Sequence, residues 1–145
     1  MAVSIKRVEV WAADIMNRPG MLARVLEALA SGGANLEFVI ARRVSEDTSR
    51  VFVAPLRGAK QLRAAADVGL SRAAGMHTIR VEAPDRRGLG ARMTRAIASA
   101  GLNIRGLSAA APKKQSVCYV AFARPDEAAQ AMKVLRQALS GRSGW

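Results

Sequence analysis

Asn17 and Asn35 are the side chains best suited to chemistry in this chain, and that chemistry is recognition, not bond making. Each amide carries both a donor and an acceptor, and the two stand 18 residues apart, on either side of a helical pattern running from Met21 to Ser31. Ahead of that pattern lies Asp14-Ile15-Met16-Asn17-Arg18-Pro19-Gly20-Met21-Leu22. A helix start presents unpaired backbone N–H groups to an anion. Gly20 lacks a Cβ and lets a ligand or a partner backbone come close to them. Asn17, Arg18, Pro19, Gly20, Met21 and Leu22, with Asn35 and Leu36 on the next strand, form one candidate binding site.

The stretch occurs twice. An offset of 68 lays Asn17-Arg18-Pro19-Gly20 on Asp85-Arg86-Arg87-Gly88, Ala23-Arg24 on Ala91-Arg92, Ala30-Ser31 on Ala98-Ser99, Gly33 on Gly101 and Asn35-Leu36 on Asn103-Ile104. A match kept in register this long marks a duplicated unit. The second candidate site is therefore Asp85, Gly88, Leu89 and Asn103. Asp85 in place of Asn17 repels a carboxylate and suits an ammonium. Arg86 and Arg87 flank a helix start able to hold an anion, with solvated surface charge as the plain alternative. Plain alternatives also exist for Asn17 and Asp85 as N-caps, for Gly20 and Gly88 as turn residues, and for Asn35 and Asn103 as turn-closing amides.

The elements that would position these residues follow from periodicity. Val8 to Ala13 reads as a first strand, bounded by the turn from Asp14 to Gly20. Met21, Leu22, Val25, Leu26 and Leu29 make one helical stripe. Pro19 suits a first helical turn and Asn17 its cap. Gly32-Gly33 ends that helix. Leu36 to Ala41 alternates as a second strand, Ser45 to Ser49 turns, and Val51 to Ala54 returns as a third that ends at Pro55 or lies at an edge. An Ala-rich helix follows over Ala59 to Val68, its apolar face Leu62, Ala65 and Ala66. The stretch from Leu70 to Ala74 is a short fourth strand or a linker. The second copy repeats the plan: a strand from His77 to Glu82, a helix burying Leu89, Met93 and Ile97, strands at Asn103 to Ala109 and Ser116 to Ala123, and a helix from Pro125 with Met132, Leu135 and Leu139 as its stripe. After Leu139 only Ser-Gly-Arg-Ser-Gly-Trp remains, which leaves a closing strand of this copy in doubt.

The expected fold class is α+β: two tandem ferredoxin-like (βαββαβ) units, residues 1–74 and 75–145, each an antiparallel sheet with helices on one face. A chain of 145 residues, 50% hydrophobic, buries one ordinary core or two small ones. No apolar run reaches the about eighteen residues of a membrane span, and Met1 to Arg7 has no signal-peptide core, so the expectation is a cytoplasmic protein with no membrane partner. Cys118 is the only cysteine and sits in a strand pattern, so packing is its expected role. No disulfide, metal or cofactor is called for by these residues.

A strand running into Asn/Asp-x-Pro-Gly, then a helix, then Gly-x-Asn-Leu/Ile opening a strand resembles the ACT domain, a regulatory module that binds amino acids. The resemblance covers nearly the whole chain as two copies, with Arg87 replacing the proline in the second. It implies a ligand held where the first loop meets a neighbouring module, pairing of modules, and output to a separate target enzyme or regulator. In serine-sensing members an Asn in this loop and an Asn 18 residues later both contact the amino acid, a spacing that Asn17 and Asn35 match. Ile15 and Met16 stand where those members place polar residues, including a ligand-contacting His, so an apolar side chain suits this loop better. A homodimer is the expected assembly, with the exposed third strand or the Ala-rich helices as the candidate pairing surfaces.

Two other function classes can be read against the same residues. Catalysis needs a nucleophile with its base, paired carboxylates or metal ligands. His77, Cys118 and scattered acids supply none, so no enzyme is expected. The net charge of +12 admits nucleic acid as a partner. It is not favoured: aromatic residues total six and no Lys/Arg-Gly-Phe/Tyr cluster lies on a strand.

Overall fold

The computed structural model describes residues 2–140. In chain order they form β1 (Ser4–Val8), β2 (Trp11–Met16), α1 (Met21–Ser31), β3 (Phe38–Arg43), β4 (Thr48–Ala54), α2 (Gly58–Asp67), β5 (Ser71–Arg72), β6 (His77–Pro84), α3 (Leu89–Ser99), β7 (Gly106–Ala110), β8 (Gln115–Phe122) and α4 (Pro125–Leu139), with a 3-10 turn at Pro112–Lys114. The chain divides into two compact units: Glu9–Ala74, and Met1–Val8 with Gly75–Trp145. Each is an antiparallel four-stranded sheet with two helices, ordered β3-β4-β2-β5 in one and β1-β6-β8-β7 in the other. This is the expected α+β plan of two ferredoxin-like units.

The duplication extends to individual hydrogen bonds. α1 and α3 are both eleven residues long and both follow a left-handed glycine, Gly20 at φ 88° and Gly88 at φ 87°. Both close in the same way, Gly33 N–H donating to Ala30 and Gly101 N–H to Ala98, each at 2.9 Å. Both hand over to the next strand alike, Glu37 N–H to the Ala54 carbonyl and Arg105 N–H to that of Ala121. The stripes pack inward. Val25 and Leu29 of α1 join Ala13, Val51, Val53, Ala65 and Leu70 in one core. Leu89, Met93 and Ile97 of α3 join Ile79, Val81, Val120, Phe122 and the small-residue face of α4 in the other. Burial of each large side chain contributes about 1.5–3 kcal/mol.

The first strand does not run from Val8 to Ala13. The chain leaves one sheet at Val8 and enters the other at Trp11. β1 pairs antiparallel with β6, Ser4 opposite Glu82 through Val8 opposite Thr78, and Val3 and Ile5 pack on the second-repeat core. The physical reason is a free sheet edge. In the first repeat β5 lies against β2, pairing Trp11 with Arg72; in the second, β6 needs a neighbour at the corresponding edge, and the strand at the start of the chain supplies it. The units meet at Val8/Glu9 and at Ala74/Gly75. The segment from residue 141, where a closing strand was in doubt, lies outside the described residues.

Three further expectations change. Asn17 and Asp85 do not cap helices, and Pro19 precedes the first turn: the cap positions are Gly20 and Gly88, with no side-chain cap bond. The third strand, β4, is central, so the exposed edges are β3 and β5. The face of α2 is set by contact with α1, which turns Leu62 outward at 40% exposure and buries Ala65. A Cβ on Gly32 would lie 2.8 Å from the Ala64 Cβ. Gly32→Ala is therefore expected to cost roughly 1–2 kcal/mol by forcing α1 and α2 apart, read from the urea midpoint. The second repeat carries Ala100 at the equivalent position.

Candidate functional site

In the first repeat the Asn17 loop is tied to the turn between β3 and β4. Its backbone N–H donates to the Asp47 carbonyl at 2.8 Å. Its side-chain amide donates to the Glu46 carbonyl at 3.2 Å and accepts from the Ser49 hydroxyl at 3.4 Å. A bidentate pair between Arg50 and Asp14, at 2.7 and 3.3 Å, braces the strands just behind. The Arg50 hydrogen bond holds the Asp14 carboxyl below its ordinary range. Arg18, Pro19, Gly20 and Asn35 are exposed, Met21 and Leu22 half-buried, and Leu36 packs on the core. No hydrogen bond joins Asn17 to Asn35, so the two amides are not assembled into one donor-acceptor cluster.

In the second repeat the same backbone tie is kept, Asp85 N–H donating to the Lys114 carbonyl at 2.8 Å. The side-chain tie is lost, because a carboxylate cannot donate as the Asn17 amide does. Here the structure opens a pocket of about 290 Å3. Asp85, Arg86, Gly88, Leu89 and Gly90 form one wall; Leu107 and Ala109 of β7 with Ser116 and Cys118 of β8 form another. Three of the predicted second-site residues, Asp85, Gly88 and Leu89, are thus brought together. Asn103 is exposed and not among the lining residues.

The pocket has a cause in sequence. Ser116 faces Ala83 across the β6/β8 pair as Ser49 faces Ile15 across β2/β4, so the hairpins correspond at an offset of 67. Gly90 stands where Leu22 packs on the first-repeat core, and Ala83 where Ile15 does. A Cβ built on Gly90 meets nothing within 4 Å. The side chain missing at Gly90, which lines the pocket, leaves the space. The lost tie also frees Ser116: it is 8% exposed and its hydroxyl makes no hydrogen bond among the described residues. Sequence reasoning missed Gly90, Ser116 and the hairpin. Comparing the repeats position by position, and not only where they agree, would have found them.

Cys118 lies in the pocket wall at 4% exposure, and burial pushes its thiol from 9.0 to about 11. A thiol held neutral alkylates slowly near neutrality. Because the folded value lies above the unfolded one, its contribution to stability is complete below pH 9 and lost as pH rises through about 11. The urea-midpoint difference between wild type and Cys118→Ala is expected to shrink across that window. Among the described residues no group of three or more His, Cys, Asp or Glu could hold a metal, and no helix is long and apolar enough to cross a membrane.

No family model and no curated protein matches the sequence. Solved structures do. The chain is similar to protein BT0572 from Bacteroides thetaiotaomicron, with a TM-score of 0.78 and 16% identity over 91% of this chain and 90% of that one. It is similar to the ligand-free regulatory subunit of aspartate kinase from Thermus thermophilus, TM-score 0.68, 18% identity, 95% and 97% covered. The likeness is one of fold. The aspartate kinase regulatory subunit from Thermus flavus matches at TM-score 0.60 and 21% identity, with 95% and 97% covered. The matches cover 90–97% of those chains, so both units of this chain, and not just a single module, have counterparts there.

Proposed function

We propose that the chain is a non-catalytic, ACT-type regulatory sensor that binds an amino acid or related small acid and signals to a separate enzyme or regulator. The observation that carries this reading is the second-repeat pocket, where the N-terminus of α3 meets an apolar wall. Its about 290 Å3 sits at the small end of ligand pockets. Leu89 N–H already donates to the Arg86 carbonyl at 3.1 Å, so the N–H groups of Gly90 and Ala91 are the oxyanion donors of the first turn. Leu89, Met93 and Leu107 supply a surface for a short apolar tail. The likeness to kinase regulatory subunits supports a regulatory output. In the first repeat, Asn17 to Leu22 with Asn35 and Leu36 remain the proposed contacts; Asn17 must exchange its hairpin bonds to make them.

The ligand acts by mass action on a homodimer. β3 and β7 are sheet edges, and Val39 and Leu107 occupy equivalent repeat positions at 41% and 47% exposure. Leu107 also lines the pocket, so a ligand that orders it favours edge pairing and shifts the assembly by its differential affinity. The test is a thermal-shift panel of the twenty amino acids and their matching acids, repeated on Asn17→Ala and Gly90→Leu. A selective, concentration-dependent rise abolished by one variant supports the sensor and names the repeat. A flat panel at millimolar ligand overturns it.

One observation favours a second reading, a polyanion partner. The unit of residues 1–8 and 75–145 holds fourteen Lys and Arg against four Asp and Glu, the other nine against seven. Among the described residues there, base stacking lacks platforms: Phe122 is fully buried, and Tyr119, 8% exposed, accepts a hydrogen bond from Arg80. A steep salt dependence of binding to generic RNA would favour it over the sensor.

A further inference from the structure

We infer that the second-repeat pocket selects a net anion, a small oxyanion with a short apolar tail, over the zwitterionic amino acid of the same shape. The inference rests on the sensor reading and fixes the ligand class at one of its two repeats. The hairpins beside the two loops have opposite charge. Asn17 N–H is held by the carbonyl of Asp47, preceded by Glu46; Asp85 N–H is held by the carbonyl of Lys114, preceded by Lys113. The first-repeat loops therefore set Arg18 against two acids, and the second-repeat loops set Arg86, Arg87, Lys113 and Lys114 against Asp85 alone.

Asp85 and Arg86 both line the pocket and offset each other at close range, whereas Arg87, Lys113 and Lys114 on the flanking loops add a positive field in which an amino acid's ammonium loses what its carboxylate gains. A carboxylate or phosphate ester without the ammonium gains throughout. Inside the pocket the first-turn N–H groups of α3 meet the oxyanion. Ser116, more than nine-tenths buried and without a hydrogen-bond partner among the described residues, has a hydroxyl to give the ligand. The tail lies against Leu89, Met93 and Leu107.

The full chain is titrated by calorimetry at low salt with 3-methylbutanoate, isobutyl phosphate and leucine. The expected result is at least tenfold tighter binding of one or both acids than of leucine, the better of the two naming carboxylate or phosphate as the oxyanion. That preference falls severalfold in 0.5 M salt. Lys113→Glu with Lys114→Asp, which restores the first-repeat charges, is expected to abolish the preference. Ser116→Ala weakens both acids, and Gly90→Leu removes binding while retaining the fold. Leucine binding as tightly as the acids overturns the inference and leaves the sensor standing. No binding of any of the three, with the amino-acid panel positive, also overturns it alone; a flat panel as well sinks the sensor reading.

Discussion

Deleting residues 2–8 is expected to abolish cooperative unfolding of the second-repeat unit, although every residue removed lies 67 or more positions before the repeat begins at Gly75. β1 contributes the full ladder from Ser4 to Val8 along β6. Without it, β6 becomes an edge with unpaired N–H and C=O groups, and an unprotected edge of that length invites association with other chains. Ile79 and Val81, at 0% and 1% exposure, sit on that strand and lose the cover of Val3 and Ile5. Each half-buried aliphatic lost removes on the order of 1 kcal/mol, and the broken ladder adds to it. Hydrogen exchange reads the result: amides of β6 lose protection first, while β2 and β4 keep theirs. A peptide of residues 1–8 added in trans is expected to restore protection by strand addition. Retained protection of β6 in the deletion would mean that the strand is decoration.

Much of this fold was legible because both signals were strong. The stripe of α1, the Gly32-Gly33 stop and the in-register second copy gave helix ends that the structure reproduces to the residue at Ser31. What stayed hidden was non-local. Nothing in Ser4-Ile5-Lys6-Arg7-Val8 says that its partner lies seventy or more residues away, because β pairing is a property of the vacant edge and not of the strand that fills it. Leu62 shows the same limit. Periodicity places it on an apolar face, but the close approach of Gly32 to Ala64 rotates α2 until Ala65 takes the core.

The candidate site divides along the same line. Loop position and helix start were readable from Asn17 to Gly20 and Asp85 to Gly88, since glycine at a left-handed turn has few substitutes. Asn17 itself was readable only as a polar residue. Whether its amide faces a ligand or a hairpin depends on Glu46 and Ser49, which lie 29 and 32 residues on. The second-repeat pocket is legible in hindsight as a subtraction: the side chain present at Leu22 is absent at Gly90.

If that subtraction makes the pocket, exchanging one pair of residues between repeats should move stability in opposite directions. Leu22→Gly removes a half-buried side chain from the first-repeat core and puts glycine inside α1. The helix term is about 1 kcal/mol and the lost burial about 1–2 kcal/mol, so a loss of about 2–3 kcal/mol is expected. Gly90→Leu reverses both terms. Its backbone is already helical and no atom stands within 4 Å of the new Cβ, so helix propensity alone gives about 1 kcal/mol, and apolar contact with Met93 and Leu107 adds to it. Urea titration of the two single variants reads the signs directly. A destabilised Gly90→Leu would show that the space at the start of α3 is held open by the surrounding walls. A stabilised one that no longer binds the small acids would show a binding site maintained at the expense of stability, the pattern expected when a repeat keeps its fold and gives up one side chain for a ligand.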